Sequence, residues 1–288
     1  MDTTLRPAAD DPVVVTGWGE ALGDVDPTPF LLSPKTRKYM GRQDELALVA
    51  AALAARDAAL STDLARHRIG LYCAVGYIPF EREDLDGLAD GSIENGAVSL
   101  SRFARVAFAS LNPLLTFKCL SNMPAYHVSA NLDIQGPYLV TYPGPGPLYQ
   151  ALSEACHALS SGLIDAALVL GVAHQTNALV QHHLSRIGAD PGAARDAAAC
   201  LVLERDVRQA AQNGQGAERP RLRVHAVLND VRIAYRAWDP FVDPAPRGKD
   251  PVFGAASLPL ALRHAERGPF HHTLEHDGFE AASDWEVA

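Results

Sequence analysis

Cysteine is scarce: four in 288 residues, at Cys73, Cys119, Cys156 and Cys200, far apart and each in apolar surroundings. That spacing excludes a disulfide framework and a paired-cysteine zinc site, and reads as reduced thiols packed like small hydrophobes. Long apolar runs are missing too, and none approaches the ~20 residues that cross a bilayer. The opening MDTTLRPAADDP has neither the basic-then-apolar pattern of a secretory signal nor the arginine content of a transit sequence, so a soluble, cytoplasmic protein is expected. Positive charge is in deficit, 25 Lys and Arg against 34 Asp and Glu, for a net charge of −9. This argues against nucleic acid or an anionic membrane as the main partner. What is present is apolar content: at 48% hydrophobic the chain can bury a sizeable core.

Strand-like and helix-like segments alternate along the chain. PVVVTGWG (12–19), RIGLYCAVGY (68–77), DAALVLGVA (165–173) and AAACLVLER (197–205) read as buried strands. RQDELALVAAALAARDAAL (42–60) predicts a helix with one strongly apolar face at Leu46, Val49, Ala50 and Leu53. Residues 78–100 are acidic and glycine-containing, a surface excursion. SLSRFARVAFASL (99–111) and MPAYHVSANLDI (123–134) have helical spacing. A polar turn or linker is expected at 212–220, then a half-exposed strand in RLRVHAVLND (221–230). The end is less regular, with a proline-rich loop at 238–251, a helix over 253–268 and a weak strand or tail over 269–288. The alternation predicts an α/β layered fold with helices against a mixed sheet.

One segment poses a chemical question. GPYLVTYPGPGPLYQALSEA (136–155) reads as strand, tight turn and helix, an arrangement that often presents a reactive side chain at a helix N-terminus. Tyr142, Pro143, Gly144, Pro145, Gly146 and Pro147 in its turn offer no thiol, serine or carboxylate. Its prolines also remove the N–H donors a phosphate-binding loop needs. Leu148, Leu152, Ala155 and Leu159 line one side of the helix, and Gly162 stands where a C-terminal glycine belongs. Cys156 neighbours His157, but adjacent helical residues do not face each other, so Cys156 reads as core. Cys119 has no base that can be named beside it. His271, His272 and His276, with Glu275 and Asp277, form a cluster that reads as solvated surface rather than a metal site. No cofactor or metal is expected.

The order VVVTGWG, RKYMGRQDELALVAAALAARDA, RIGLYCAVG, NPLLTFKCLSNMPAYHVSANLDIQGPYLVT, ALSEACHALSSGLIDAALVLGV and RDAAACLVLERD resembles the N-terminal half of β-ketoacyl synthases. The likeness covers roughly residues 12–230, and NMPAYHVSANLDIQGP (122–137) is its most specific part. It implies a thiolase-like layered α/β/α/β/α fold over residues 1–288. Residues 1–211 would form the N-terminal ketosynthase-like half and 221–288 a shortened, truncated C-terminal half. Counting forward from Gly136-Pro137, the family's acyl-accepting cysteine falls on Pro145. Proline has no atom to form a thioester and no N–H to hold an oxyanion, yet it suits a helix's first turn. In the C-terminal half Phe253 precedes Gly254, and no histidine stands in a matching Gly-His context. Nucleophile and bases are thus expected to be absent together.

The resemblance is closest to chain-length factors of type II polyketide systems and to similar subunits beside aryl polyene synthases. It implies a non-catalytic partner of an active ketosynthase, in a heterodimer where both subunits shape the acyl tunnel. Phe103, Phe108, Leu115, Phe117 and Tyr142 are the candidate tunnel or interface residues; any one aromatic among them could equally be core. Acyl carrier protein, itself acidic, is expected to dock mainly on the partner, helped at most by a local basic patch such as LARHR (64–68). The alternative is a small thiolase-fold acyltransferase or hydrolase using Cys119, Cys156 or a serine, and a homodimeric scaffold is a third possibility.

Overall fold

A computed structural model describes residues 2–7, 12–60, 64–111, 113–143, 146–186, 188–206, 223–236, 252–276 and 278–288. Pro145, the expected linker at 212–220 and the expected loop at 238–251 lie outside the described residues. In chain order the first elements are β1 (Asp2–Leu5), β2 (Val13–Leu22), α1 (Arg42–Asp57), β3 (Ile69–Val75) and α2 (Arg82–Ser92). A short hairpin of β4 (Ile93–Glu94) and β5 (Ala97–Val98) leads to α3 (Leu100–Arg102), a π turn at Phe103–Ala107 and α4 (Phe108–Ser110). Next come α5 (Leu115–Cys119), α6 (Met123–Leu132), β6 (Tyr138–Thr141), α7 (Pro147–Ser160), β7 (Ala166–Ala173), α8 (Ala178–Arg186) and β8 (Ala197–Arg205). The chain closes with β9 (Ala226–Tyr235), α9 (Ser257–Arg263) and a hairpin of β10 (Gly268–His276) and β11 (Phe279–Val287).

Nine strands form one sheet in the order β10-β11-β9-β2-β8-β7-β3-β6, with β1 also on β9. β3 runs parallel to β6 and β7, whereas β8 is antiparallel to β7 and β2. Every residue of β3 and β7 is buried, as expected of strands covered on both faces. The period-two alternation sends Ile69, Leu71, Cys73 and Val75 to one face, against α1 and α6, and Tyr72 and Ala74 to the other, against α7. Ile233 of β9, Leu274 of β10 and Trp285 of β11 join the same cluster as Leu148, Leu152 and Leu159 of α7 and Leu258 and Leu262 of α9. The two helices therefore lie between two regions of the sheet, and the order is α1/α6, sheet, α7/α9, sheet. The outer side of β9–β11 is polar: Arg232 pairs with Asp284, and Arg236 with Glu275 and Glu280.

The close seating of α1 explains the glycines in VVVTGWG. A Cβ on Gly19 would sit 2.2 Å from the Ala50 carbonyl oxygen, and one on Gly17 2.5 Å from that of Ala54. Asp44 caps the helix by accepting the Gly41 N–H at 2.7 Å. α1 is buried on more than the one face expected, because α6 packs beside it on the same face of the sheet; Leu53 is left partly exposed. At the end of α7, Gly162 takes φ +71°, and the Leu163 N–H reaches back to the Ala158 carbonyl, a left-handed C-terminal stop.

Several expectations need correction. The 78–100 stretch is a surface excursion as expected, but it contains a helix: Glu83 and Asp84 sit in the first turn of α2, where negative charge favours the helix terminus. The 253–268 helix is shorter, a 3-10 turn at Gly254–Ala256 plus α9, and β10 already begins at Gly268. Residues 269–288 are no tail. They pair over nine positions, with Leu274, Ala281, Trp285 and Val287 facing the core and His271, Glu275, Glu280 and Asp284, which disguised the strand, alternating with them. β9 begins at Ala226 and runs to Tyr235, five residues beyond the expected end. β1 was not expected at all.

Two histidines, buried His127 and half-buried His272, tie the layers together. His127 of α6 lies beside Asp44 at 3.9 Å, and Tyr149 of α7 hydrogen-bonds His272 Nδ1 of β10 at 2.6 Å. Burial pushes both imidazoles down to about 4 from an ordinary 6.5.

Two predictions follow from this packing. Gly19→Ala lowers unfolding stability by about 1–3 kcal/mol through overpacking, whereas Gly87→Ala, at an open position in α2, does not; urea midpoints compare them. In the unfolded chain the two histidines bind protons between pH 6.5 and 4 that the folded chain refuses. Stability is therefore full above pH 6.5 and falls toward pH 4, by on the order of 1–3 kcal/mol per histidine. Urea midpoints measured from pH 7.5 to 4.5 should track that decline, and His272→Gln should flatten part of it.

Candidate active site at the tip of α7

Gly146 stands at the N-cap of α7 and Pro147 opens its first turn, where a missing N–H costs nothing. Thr141, at the end of β6, donates its hydroxyl to the Pro147 carbonyl at 3.0 Å and holds the helix start against the sheet. A Cβ on Gly146 would lie 2.9 Å from the ring of Phe279, so that ring rests directly on the tip. Tyr235 of β9 meets Phe279 edge-on with 5.3 Å between centroids, and Gln150 donates to the Tyr235 hydroxyl. One turn into the helix, Tyr149 is 1% exposed, and its hydroxyl is engaged by His272. Two aromatic rings from the C-terminal strands thus close the helix end.

Chemically this end offers little. Among the described residues, Gly146, Pro147 and Leu148 carry no nucleophilic atom. The nearby histidine, His272, is uncharged at neutral pH, and its Nδ1 is occupied by Tyr149. The cysteines are poor substitutes. Burial pushes the Cys156 thiol up to about 12 and raises Cys73 and Cys200 as well, so all three stay protonated. His157 points to solvent, so it forms no pair with buried Cys156. Cys119 is half-buried in a narrow crevice with Gln43, Leu120 and Tyr142, whose described lining includes no histidine.

The candidate tunnel residues fall elsewhere. Phe103, Phe108, Phe117 and Tyr142 are exposed, Phe108 to 64%, and Leu115 is half-buried. The core-packing alternative for these aromatics is therefore corrected. The π turn and α4 pack on α2 rather than on the sheet, with Gly91 against Ala107, which leaves their aromatics outward. Phe103 and Phe108 lie 6.3 Å apart, and Phe117 meets Tyr39 at 5.9 Å. Leu100, Tyr126 and Tyr138 are also exposed, so the stretch from β5 to β6 carries much of the exterior apolar surface.

Two other groupings dissolve in three dimensions. Arg66 pairs with Asp133 at 3.5 Å, and Arg68 binds both oxygens of Asp165, so LARHR offers no free basic patch. His271 and His272 take opposite faces of β10, one with Asp284 and the other with Tyr149. His276 and Asp277 have no described side chains. No group of three metal-ligating side chains occurs among the described residues, and no described helix is long and apolar enough to cross a membrane. Sequence reasoning missed Phe279, Tyr235, Gln150 and the Tyr149–His272 pair. The period-two pattern of Phe270, His272 and Leu274 was the available signal for the last.

Comparison with known proteins supplies the family. A profile of the β-ketoacyl synthase N-terminal domain matches residues 3–199, more than half of the chain. A search among curated proteins found no match. Among solved structures, the ishigamide ketosynthase/chain length factor is similar with a TM-score of 0.69 at 14% identity, over 99% of this chain and 100% of that one. A type II polyketide ketosynthase, solved with its acyl-carrier protein and bound to a hexaketide, gives 0.68 at 13% identity, over 96% and 100%. A β-ketoacyl synthase from Burkholderia phymatum gives 0.65 at 14% identity, over 96% and 100%. At these identities the likeness establishes the fold, a thiolase-like layered α/β architecture. With the profile match spanning β1 to β8, the chain belongs to the β-ketoacyl synthase family.

Proposed function

We propose that the chain is a non-catalytic, chain-length-factor-like subunit. It pairs with an active ketosynthase, stabilises it and shapes the acyl tunnel during polyketide or aryl polyene chain elongation. The observation that carries this reading is Pro145 at the family's acyl-accepting position, a residue with no nucleophilic atom. The Phe279 ring against Gly146, with Tyr235 beside it, supports the reading, since it covers the start of α7. So does the apolar exterior between β5 and β6, which is more than a solitary soluble chain needs to show. In this reading Phe103, Phe108, Leu115, Phe117 and Tyr142 form the wall and rim shared with the partner. The acyl carrier protein docks on the partner, because this chain is acidic and the arginines of LARHR are already paired.

Incubation of the purified chain with acyl-CoA and acyl-carrier thioesters leaves its intact mass unchanged. A stoichiometric acyl adduct, mapped to any cysteine or serine, would overturn the reading. Co-expression with an active ketosynthase partner yields a stable one-to-one complex. Phe108→Asp, at an exposed position, weakens that complex at least tenfold without lowering the free chain's unfolding midpoint, as size-exclusion chromatography and calorimetry would show.

A further inference from the structure

Away from α7, a cleft of about 310 Å³ opens between the N-terminus of α1, the start of α2 and the loop after β7. Arg42, Glu45, Glu81, Asp84, Leu115 and His174 are among its walls. Its one guanidinium is already committed: Arg42 Nη2 meets Asp24 at 2.8 Å, and Nε meets Asp196 at 3.4 Å. Asp196 is itself filled, taking the backbone N–H and the hydroxyl of Thr176 at 2.9 Å each. Glu45 is held by Arg37 at 3.0 Å. Glu81 and Asp84 have no lysine or arginine partner among the described residues.

His174 turns this acidic rim into a defined receptor. Its side chain is only 7% exposed. Nε2 faces the Asp196 carboxylate at 3.6 Å, which favours the proton on that nitrogen. Nδ1 is left as a lone-pair acceptor, buried, without a hydrogen bond, 3.9 Å from Glu81 Oε1 on the cleft wall. Burial holds the imidazole below its ordinary range, with Asp196 and Glu81 opposing that shift and Arg42 adding to it, so Nδ1 remains an acceptor at neutral pH. Among the described residues, the groups lining the cleft without a cationic partner are therefore acceptors: the Glu81 and Asp84 carboxylates and, behind Glu81, the buried His174 nitrogen. An anion would meet repulsion from Glu81 and Asp84; a donor-rich cation fits.

We infer that this cleft receives a lysine or arginine side chain of the active synthase subunit, an inference that rests on the pairing proposed above. Charge complementarity selects the cation. Continuity selects its bearer: Leu115 is shared between the cleft and α5, whose Phe117 belongs to the exposed apolar stretch, so the cleft opens at the border of that surface. A cation seated there fixes the register of two otherwise apolar faces.

The test uses the reconstituted complex with the active synthase. Glu81 has its side chain 58% exposed and makes no side-chain cap bond to α2, so Glu81→Gln leaves the free chain's unfolding midpoint unchanged. Glu81→Gln is expected to weaken the complex about tenfold and Glu81→Lys about a hundredfold, with the wild-type affinity falling more steeply with salt than that of Glu81→Gln. Complex formation also moves the His174 Nδ1 nitrogen resonance toward the hydrogen-bonded range. A wild-type complex whose affinity changes less than twofold in both variants overturns the cleft assignment and leaves the pairing intact. Failure of the wild-type chain to form any complex overturns both.

Discussion

The enclosure of α7 between two regions of one sheet is the constraint on which the rest of the molecule depends. Leu148, Leu152, Ala155, Cys156 and Leu159 are all buried in a core shared by both halves of the chain. Each large apolar side chain so placed contributes about 1.5–3 kcal/mol, so the helix cannot shift without dismantling both halves. This is why the helix keeps its place although Pro145, Gly146 and Pro147 at its start carry no nucleophilic atom. A reactive helix end needs room for substrate, whereas one without chemistry must be filled or solvated. Here Phe279 fills it, and Tyr235 and Gln150 hold that ring in place.

The same economy governs the polar groups inside. Tyr149 and His272 satisfy each other across the middle layer, and Asp44 turns inward to cap α1 beside His127. Such groups are tolerated because each has a partner or gives up its charge. His127 and His174 nevertheless each leave one buried ring nitrogen without a hydrogen bond. The exterior is uneven in a corresponding way. Apolar side chains crowd the stretch from β5 to β6, while the outer side of β9–β11 is laced with ion pairs. One surface is suited to association and the other to water.

Much of the N-terminal layering was legible in the sequence, because buried parallel strands such as IGLYCAV and AALVLGVA leave uninterrupted apolar runs, and α7 announces itself by Leu148, Leu152 and Leu159. Its end was marked by Gly162. The C-terminal hairpin was not legible. Its buried positions, Leu274, Ala281, Trp285 and Val287, are diluted by outward-facing His271, Glu275, Glu280 and Asp284, and half of a period-two signal looks like a polar tail. The closure of the α7 tip was equally hidden, since Phe279 reaches Gly146 from more than a hundred residues away and no local pattern records that contact. Likewise, Arg66 and Arg68 read as a basic patch until Asp133 and Asp165 come beside them in space.

The two terminal strands of the sheet, β6 and β10, have opposite characters. β10 has Pro269 near its start and pairs His271 and Glu275 with charged neighbours, features that discourage another chain from adding on. β6 is short and ends the sheet beside exposed Tyr138. The sheet is thus guarded against backbone pairing along one margin and left open to it along the other.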